Sequence, residues 1–240
     1  MWCIPPQEDA AFVCQMEQVL EVYKRPYDAR FPVVNMDEQH KQLILETEHP
    51  IAAVPGCPAR MDYEYVRQGA CVVWMFVEAL AGWREVAVTG TRTALDWAQR
   101  VRQIVDHPRY AAAQCLTLVC DNLNTHTPAS LYQAFPPEEA LRLAQRIEIV
   151  YTPKHGSWLN IAESELSVLT RQCLARRLPE QTLVADEARL WTNRRNADQI
   201  GVDWQFRTAD ARIKLKRLSR KLKRDELLAS RARRHLTCRR

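Results

Sequence analysis

Three acidic residues of this 240-residue chain stand where a metal-binding site could form. Asp37 and Asp121 each end a short apolar run, and Glu163 borders the apolar stripe of a helix that includes Leu159 and Leu166. Two carboxylates held side by side repel each other and raise one pKa, whereas divalent cations neutralise them. Carboxylate oxygens are hard ligands that suit Mg²⁺ or Mn²⁺. The pattern therefore predicts a metal cage built from Asp37, Asp121 and Glu163.

Each acid alone also has an ordinary structural interpretation. An Asp that ends a strand is commonly a turn residue, and a single Glu on a helix is usually solvated. The combination of two strand-end Asp residues and one inward-facing Glu is more specific than any one of them. Glu165 points roughly away from Glu163 on the same helix, which makes it the weaker candidate.

Hydrophobic spacing predicts the elements that must position these acids. Apolar residues three and four apart indicate helices over 8–24, 93–105, 138–146 and 180–197. A further helix is predicted to start near Trp158, with Ser157 as its N-cap. Apolar runs indicate strands over 31–36, 115–120 and 147–151, and a hairpin formed by 70–78 and 84–89. Residues 39–69 show no clean period, so we interpret them as an irregular insertion that could hold short strands.

The order of elements predicts an α/β fold with a mixed five-stranded sheet flanked by helices, an N-terminal helix and a basic helical C-terminal tail. If the strands ending on Asp37 and Asp121 are parallel neighbours, both acids lie at the sheet edge where open α/β folds hold their sites. The predicted division is a helical lead-in segment (1–30), a catalytic domain (31–211) and a basic tail (212–240).

Charge is distributed unevenly along the chain. Residues 212–240 hold 13 basic residues and two acids, a net +11, which leaves a net −6 for the remainder. A strongly basic end predicts a polyanionic partner, most simply nucleic acid, although a solvated terminal helix has the same composition. The residues predicted to bind DNA without sequence preference are Lys214, Lys216, Arg217, Arg220, Lys221, Lys223 and Arg224.

Composition excludes several other classes of protein. A hydrophobic content of 47% with only 6 Gly is that of a globular chain, neither disordered nor collagen-like. The eight cysteines include no CxxC pair, which predicts reduced thiols. The longest apolar run, 70–77, is too short to span a membrane, and no secretory signal is evident. We therefore expect a cytoplasmic protein with no membrane partner and no organic cofactor.

Three sequence blocks around the acids resemble the catalytic blocks of the insertion-sequence 630 transposases, relatives of the Tc1/mariner elements in the DDE superfamily. The blocks are Val33–Glu38, Leu118–His126 and Tyr151–Glu163, and the likeness covers about residues 1–218. It implies an RNase H-like fold in which Asp37, Asp121 and Glu163 form the catalytic, metal-binding triad. It further implies two Mg²⁺ ions, replaceable by Mn²⁺, in a prokaryotic, nucleoid-associated enzyme. Such an enzyme cleaves double-stranded DNA at transposon ends and inserts it, usually at TA, and the likeness is compatible with a homodimer.

Other residues of these blocks are predicted to orient the triad or contact DNA. They are Glu38, Asn122, His126, Lys154, His155, Ser157, Trp158 and Asn160. The segment from Lys154 to Ser157 precedes a predicted helix N-terminus, a natural place for a phosphate oxygen. Alternatively, the Asn and His residues form only hydrogen bonds at strand ends and turns, and Trp158 packs in the core.

The chain departs from the family pattern at both ends. The family normally carries helix-turn-helix modules before the catalytic domain, and the segment before Asp37 is too short to hold them, so we expect a catalytic domain without that region. Residues 219–240 do not resemble the family. Three functions are consistent with these features: a metal-dependent nuclease and strand transferase, a catalytically idle DNA-binding or dimerising remnant, or a general RNase H-like nuclease.

Overall fold

A five-stranded mixed sheet lies at the centre of the computed structural model, which describes residues 10–48, 51–60 and 62–214. Its strands are β1 (Val33–Glu46), β2 (Tyr65–Glu78), β3 (Trp83–Thr89), β4 (Leu116–Cys120) and β5 (Ile147–Tyr151), in the spatial order β3-β2-β1-β4-β5. The pairs β1–β2 and β2–β3 are antiparallel, whereas β4 runs parallel to both β1 and β5. The predicted mixed sheet is confirmed, with β1 and β4 as parallel neighbours.

Seven α-helices accompany this sheet in the described ranges. They are α1 (Ala10–Tyr23), α2 (Ala94–Val105), α3 (Pro128–Ala134), α4 (Pro137–Gln145), α5 (Ile161–Leu169), α6 (Gln181–Ala197) and α7 (Thr208–Lys214). The sequence did not predict α3, because seven residues are too few to show a helical period. None of the helices in these ranges has the length and apolar composition needed to cross a membrane.

The two faces of the sheet bury different helices because side chains alternate along each strand. Val34 and Met36 of β1 pack with α2, α3 and α4 in one apolar cluster. On the other face, Met75 and Val77 of β2 pack with α5 and α6, while α1 covers Val119 of β4. The sheet is therefore the middle layer of three, and a residue's parity on β1 decides which helical layer it faces.

The prediction of an irregular insertion over 39–69 was wrong at both ends of that segment, where 39–46 and 65–69 belong to long paired strands. Strand β1 continues to Glu46 and β2 begins at Tyr65, and the two pair from Asn35↔Val77 to Glu46↔Tyr65 with one register shift after Gln42. The outer part of this ribbon is largely exposed, so polar residues occupy both of its faces. Leu43 is buried there, but a strand segment that buries so few residues shows no clear hydrophobic period.

The predicted start of the helix carrying Glu163 was also wrong. Ser157 begins a short 3₁₀ turn, Ser157–Leu159, and α5 starts only after Asn160. Asn160 is the N-cap, because its Oδ1 accepts a hydrogen bond from the backbone N–H of Ala162 at 3.1 Å. Its Nδ2 donates to the carbonyl oxygen of Met36 at 2.9 Å, which ties the helix start to β1.

Helix α7 confirms the helical prediction for the start of the tail, up to Lys214. The Lys214 side chain and all residues beyond it lie outside the described part of the chain. The predicted DNA-binding residues of the tail, from Lys214 to Arg224, are therefore not placed by the structure.

Candidate active site

A cleft of about 500 Å³ opens where β1, β4 and the start of α5 meet. Four acidic residues line it: Asp37, Glu38, Asp121 and Glu163. The three acids predicted from the sequence therefore share one cleft, although they come from two strands and a helix far apart in the chain.

The parallel pairing of β1 and β4 places the two Asp residues. The last β1–β4 pair is Asn35↔Val119, and Asp121 follows directly after β4 ends at Cys120. Asp37 lies two residues beyond Asn35 on β1. It is inside a long strand and opposite Met75 of β2, so it does not end its strand as predicted. The pairing of β1 with β4 ends near Asp37, and the end of this pairing opens the cleft.

Asp37 and Glu38 face opposite helical layers because they are adjacent on one strand. Glu38 shares its parity with Val34 and Met36, which pack against α2. Its side chain is only 2% exposed, and Oε1 lies 3.4 Å from Nη1 of Arg92, just before α2. Carboxylates from both layers thus converge at one edge of the sheet.

A buried histidine connects two of these carboxylates. His126 Nδ1 lies 2.7 Å from Asp121 Oδ1, and His126 Nε2 lies 3.5 Å from Glu38 Oε2. The imidazole stacks on Trp97 with ring centroids 5.7 Å apart, and the hydroxyl of Tyr151 donates to the His126 carbonyl at 2.7 Å. These contacts fix the ring and hold one oxygen of Asp121.

Within the described ranges, three residues that could bind a metal have ligand atoms within 4.8 Å of one another: Glu38, Asp121 and His126. This set overlaps the predicted triad only at Asp121. Asp37 and Glu163 line the same cleft without meeting that spacing. His126 Nε2 and Glu38 Oε2 are buried and have no hydrogen-bond partner among the described residues.

The cleft concentrates negative charge on partly buried oxygens. The pKa of Asp37 is raised to about 7, mainly by burial and also by the charges of Glu38, Asp121 and Glu163, although a hydrogen bond from the Glu38 backbone N–H opposes the rise. Burial also raises the pKa of Glu38, against the opposing effects of His126 and Arg92. A cation would relieve this repulsion, and carboxylate oxygens are the donors that Mg²⁺ and Mn²⁺ prefer. The donor set fits a divalent metal, and Asp37, Asp121 and Glu163 could hold it.

The pKa of Asp37 predicts a pH-dependent stability in metal-free buffer. Its folded pKa lies above the ordinary value of 3.8, so the folded state loses stability relative to the unfolded state as pH rises from about 4 to about 7. In EDTA at pH 8, we expect Asp37→Asn to increase the free energy of unfolding by about 1–2 kcal/mol, a figure reduced for solvent screening. The gain should vanish near pH 4. Urea denaturation across this range measures it.

The matched control for this experiment is Asp186→Asn, which changes an exposed acid on α6 that pairs with Arg189 away from the cleft. We expect its effect on the free energy of unfolding to be small and to lack the gain at pH 8. If Asp37→Asn were no more stable than wild type at pH 8, the electrostatic strain inferred for the cleft would be absent.

The other predicted site residues occupy three kinds of position. Ser157 and Asn160 line the cleft, and Glu38 and His126 contact the acids or each other. Three of the predicted residues are exposed and do not line the cleft: Asn122, Lys154 and His155. His155 has a positive φ of 64°. Trp158 packs edge-on against Phe206 with centroids 5.9 Å apart, which agrees with the core-packing alternative.

Sequence reasoning missed several residues at the cleft. Thr152, Ser167, Thr170 and Arg171 also line it, and Arg92 pairs with Glu38 from outside. Ser167 and Arg171 follow Glu163 at intervals of four, a helical signal that could have been found in the sequence. The contact of Arg92 depends on the packing of a loop against β1 and has no such signal.

Residues 32–184 match the model of a family described as DDE superfamily endonuclease. The match covers more than half of the chain, so this chain belongs to the DDE superfamily of endonucleases. Asp37, Asp121 and Glu163 all lie within the matched range. No curated protein matches the chain.

The fold of this chain is similar to that of solved structures of one transposase, Mos1. The chain is similar to the Mos1 mariner paired end complex with Mn, at a TM-score of 0.53 and 15% identity, covering 82% of this chain and 61% of that one. A Mos1 paired end complex with Mg matches at a TM-score of 0.49 and 16% identity, covering 94% and 65%. The first likeness shows an RNase H-like fold. The chain spans less than two thirds of the length of these Mos1 chains.

Proposed function

We propose that this chain is the catalytic domain of a transposase of the insertion-sequence 630 group, and that it cleaves and joins DNA at transposon ends. The observation that carries the proposal is the convergence of Asp37, Asp121 and Glu163 on one cleft, in a member of the DDE superfamily. In support, the similar Mos1 structure with a TM-score of 0.53 is a paired end complex with Mn.

Asp37, Asp121 and Glu163 are the residues proposed to hold two divalent ions, Mg²⁺ or Mn²⁺. When bound, such ions activate the attacking oxygen and stabilise the leaving oxygen of an in-line displacement at phosphorus. The attacking oxygen would belong to water during cleavage and to a DNA 3′-hydroxyl during joining.

The surrounding residues keep the triad in place. His126 donates from Nδ1 to Asp121 Oδ1, so that oxygen is held and the carboxylate cannot rotate freely. Asn160 fixes the first turn of α5, which carries Glu163, against the Met36 carbonyl. These roles are proposed as positioning roles, because neither side chain needs to touch the reacting atoms.

The domain division and the partners belong to the same proposal. Residues 31–211 would form the catalytic domain, 1–30 the lead-in segment, and 212–240 a tail that binds the DNA backbone without sequence preference. Double-stranded DNA is the proposed substrate, with TA as the target, and a homodimer would bring two ends together.

The proposal is tested by incubating the purified chain with a supercoiled plasmid that carries the element ends, in 5′-end-mapped nicking assays. We expect nicks at the ends with Mg²⁺ or Mn²⁺ and none in EDTA. Nicks spread over the plasmid would indicate a general nuclease instead. Binding without nicking would contradict the catalytic proposal and favour an idle DNA-binding remnant.

A further inference from the structure

The cleft contains one basic side chain among its described lining residues, Arg171. The other charged groups there are the four carboxylates, which repel a DNA phosphate. A phosphodiester that enters this cleft needs a positive group at its border as well as any cation among the carboxylates. Arg171 is the described residue in a position to supply it.

The local backbone presents Arg171 on the same side as Glu163. Glu163, Ser167 and Arg171 are four residues apart, so they form one stripe along α5 and its extension. After Leu169 the helix widens into a π-helical turn, Thr170–Leu174. Lys41 of β1 donates from Nζ to the carbonyl of Leu174 at 2.7 Å, which anchors the end of that turn to the sheet.

The guanidinium of Arg171 forms a hydrogen bond with a neutral side chain, and its charge is not balanced by an acid of the described ranges. Its Nη1 donates to Ser167 Oγ at 2.5 Å, and no acid of the described ranges forms a salt bridge with it. The exposed Arg176 and Arg189 differ, since each pairs with an acid of α6. A guanidinium has five N–H donors, so Arg171 keeps several for a ligand, and its planar fork matches a phosphate.

We propose that Arg171 contacts a DNA backbone phosphate at the border of the cleft, on the side of Glu163, with Ser167 orienting the guanidinium. This inference rests on the proposed function, because it takes DNA as the substrate of the same cleft. It assigns a substrate-binding residue that is distinct from the carboxylates and that needs no metal in order to act.

The test measures binding to a fluorescent duplex by anisotropy in EDTA, over a series of salt concentrations. We expect Arg171→Gln to weaken binding about 5- to 10-fold and to reduce the slope of log K against log salt by about one. Arg171→Lys, which keeps the charge without the planar fork, should lose less affinity and keep the slope. Arg189→Gln is the matched control on α6 and should bind like wild type.

A second experiment locates the contact on the DNA. Each phosphate near the element end is replaced in turn by an uncharged methylphosphonate, and the loss of binding is compared for wild type and Arg171→Gln. One position should weaken wild type but leave Arg171→Gln unchanged, because that phosphate has lost its partner already. Equal losses for both proteins at every position would overturn the assignment of Arg171.

The two experiments separate this inference from the proposed function. If wild type bound DNA through Arg171 but never nicked it with Mg²⁺, the inference would stand while the catalytic proposal failed. If wild type nicked at the ends and Arg171→Gln bound DNA with unchanged affinity and salt slope, the inference alone would be wrong.

Discussion

Asp121→Asn should reduce Mg²⁺-dependent nicking at least ~10³-fold, a loss of transition-state stabilisation of about 4 kcal/mol. The amide is almost the same size as the carboxylate, but it has no charge and is a weaker ligand for a hard cation. Asp121 side-chain exposure is 39%, and the residue lies at the end of β4 rather than in the core, so the fold should persist. Nicking of a supercoiled plasmid, followed over time, measures the effect.

Two measurements make this result interpretable. DNA affinity in EDTA should stay at or above the wild-type value, because the substitution removes a negative charge from the cleft. Asp186→Asn, in an exposed pair on α6, should nick at the wild-type rate. If Asp121→Asn retained full metal-dependent nicking, the assignment of Asp121 as a metal ligand would be wrong.

Glu165→Ala should lower the free energy of unfolding by about 3–5 kcal/mol, because it leaves the buried Arg84 and the partly buried Arg195 without a counter-charge. Arg84 is fully buried, and its Nε donates to Glu165 Oε2 at 2.5 Å. Arg195 donates to both Glu165 oxygens, at 2.9 and 3.1 Å, and its side chain is 13% exposed. Urea denaturation at neutral pH, monitored by tryptophan fluorescence, measures the loss.

The control for this prediction is Glu138→Ala, since Glu138 is exposed in the first turn of α4. Its effect should stay within about 0.5 kcal/mol. Replacing all three network residues by apolar ones, as Arg84→Met, Glu165→Leu and Arg195→Met together, should recover much of the stability, because no buried charge remains unpaired. A small loss for Glu165→Ala, similar to that of Glu138→Ala, would contradict the structural role of this network.

Secondary structure could be predicted from the sequence where a buried face makes apolar residues recur at regular spacing. Strands β2 to β5 and helices α2 and α6 bury one or both faces, so their apolar residues recur at fixed spacing. The outer ribbon of β1 and β2 is largely exposed and buries Leu43 but few other residues, so its pairing could not be predicted. The same limit explains Asp37, because the end of an apolar run was taken for the end of a strand.

Residues that act through distant partners were harder to predict. Glu165 was expected to point away from Glu163, and it does lie outside the cleft lining. Its burial was not expected, because its partner Arg84 is 81 residues earlier in the chain. Similarly, His126 could be placed near Asp121 from the sequence block, but its stacking on Trp97 and its approach to Glu38 depend on the packing of α2.

The pairing between β1 and β4 ends near Asn35, and this leaves part of β1 open to association with another molecule. Beyond that point β1 is an edge strand on the cleft side, and an open edge can add a strand from another chain. Here Asp37 Oδ1 accepts the backbone N–H of Glu38, and Asn160 donates to the carbonyl of Met36. Side chains thus form hydrogen bonds with main-chain groups near this edge. The negative charge of the cleft also repels the same acidic edge of a second copy. The acidic cluster would therefore protect the protein against aggregation through β1 as well as serve the proposed chemistry.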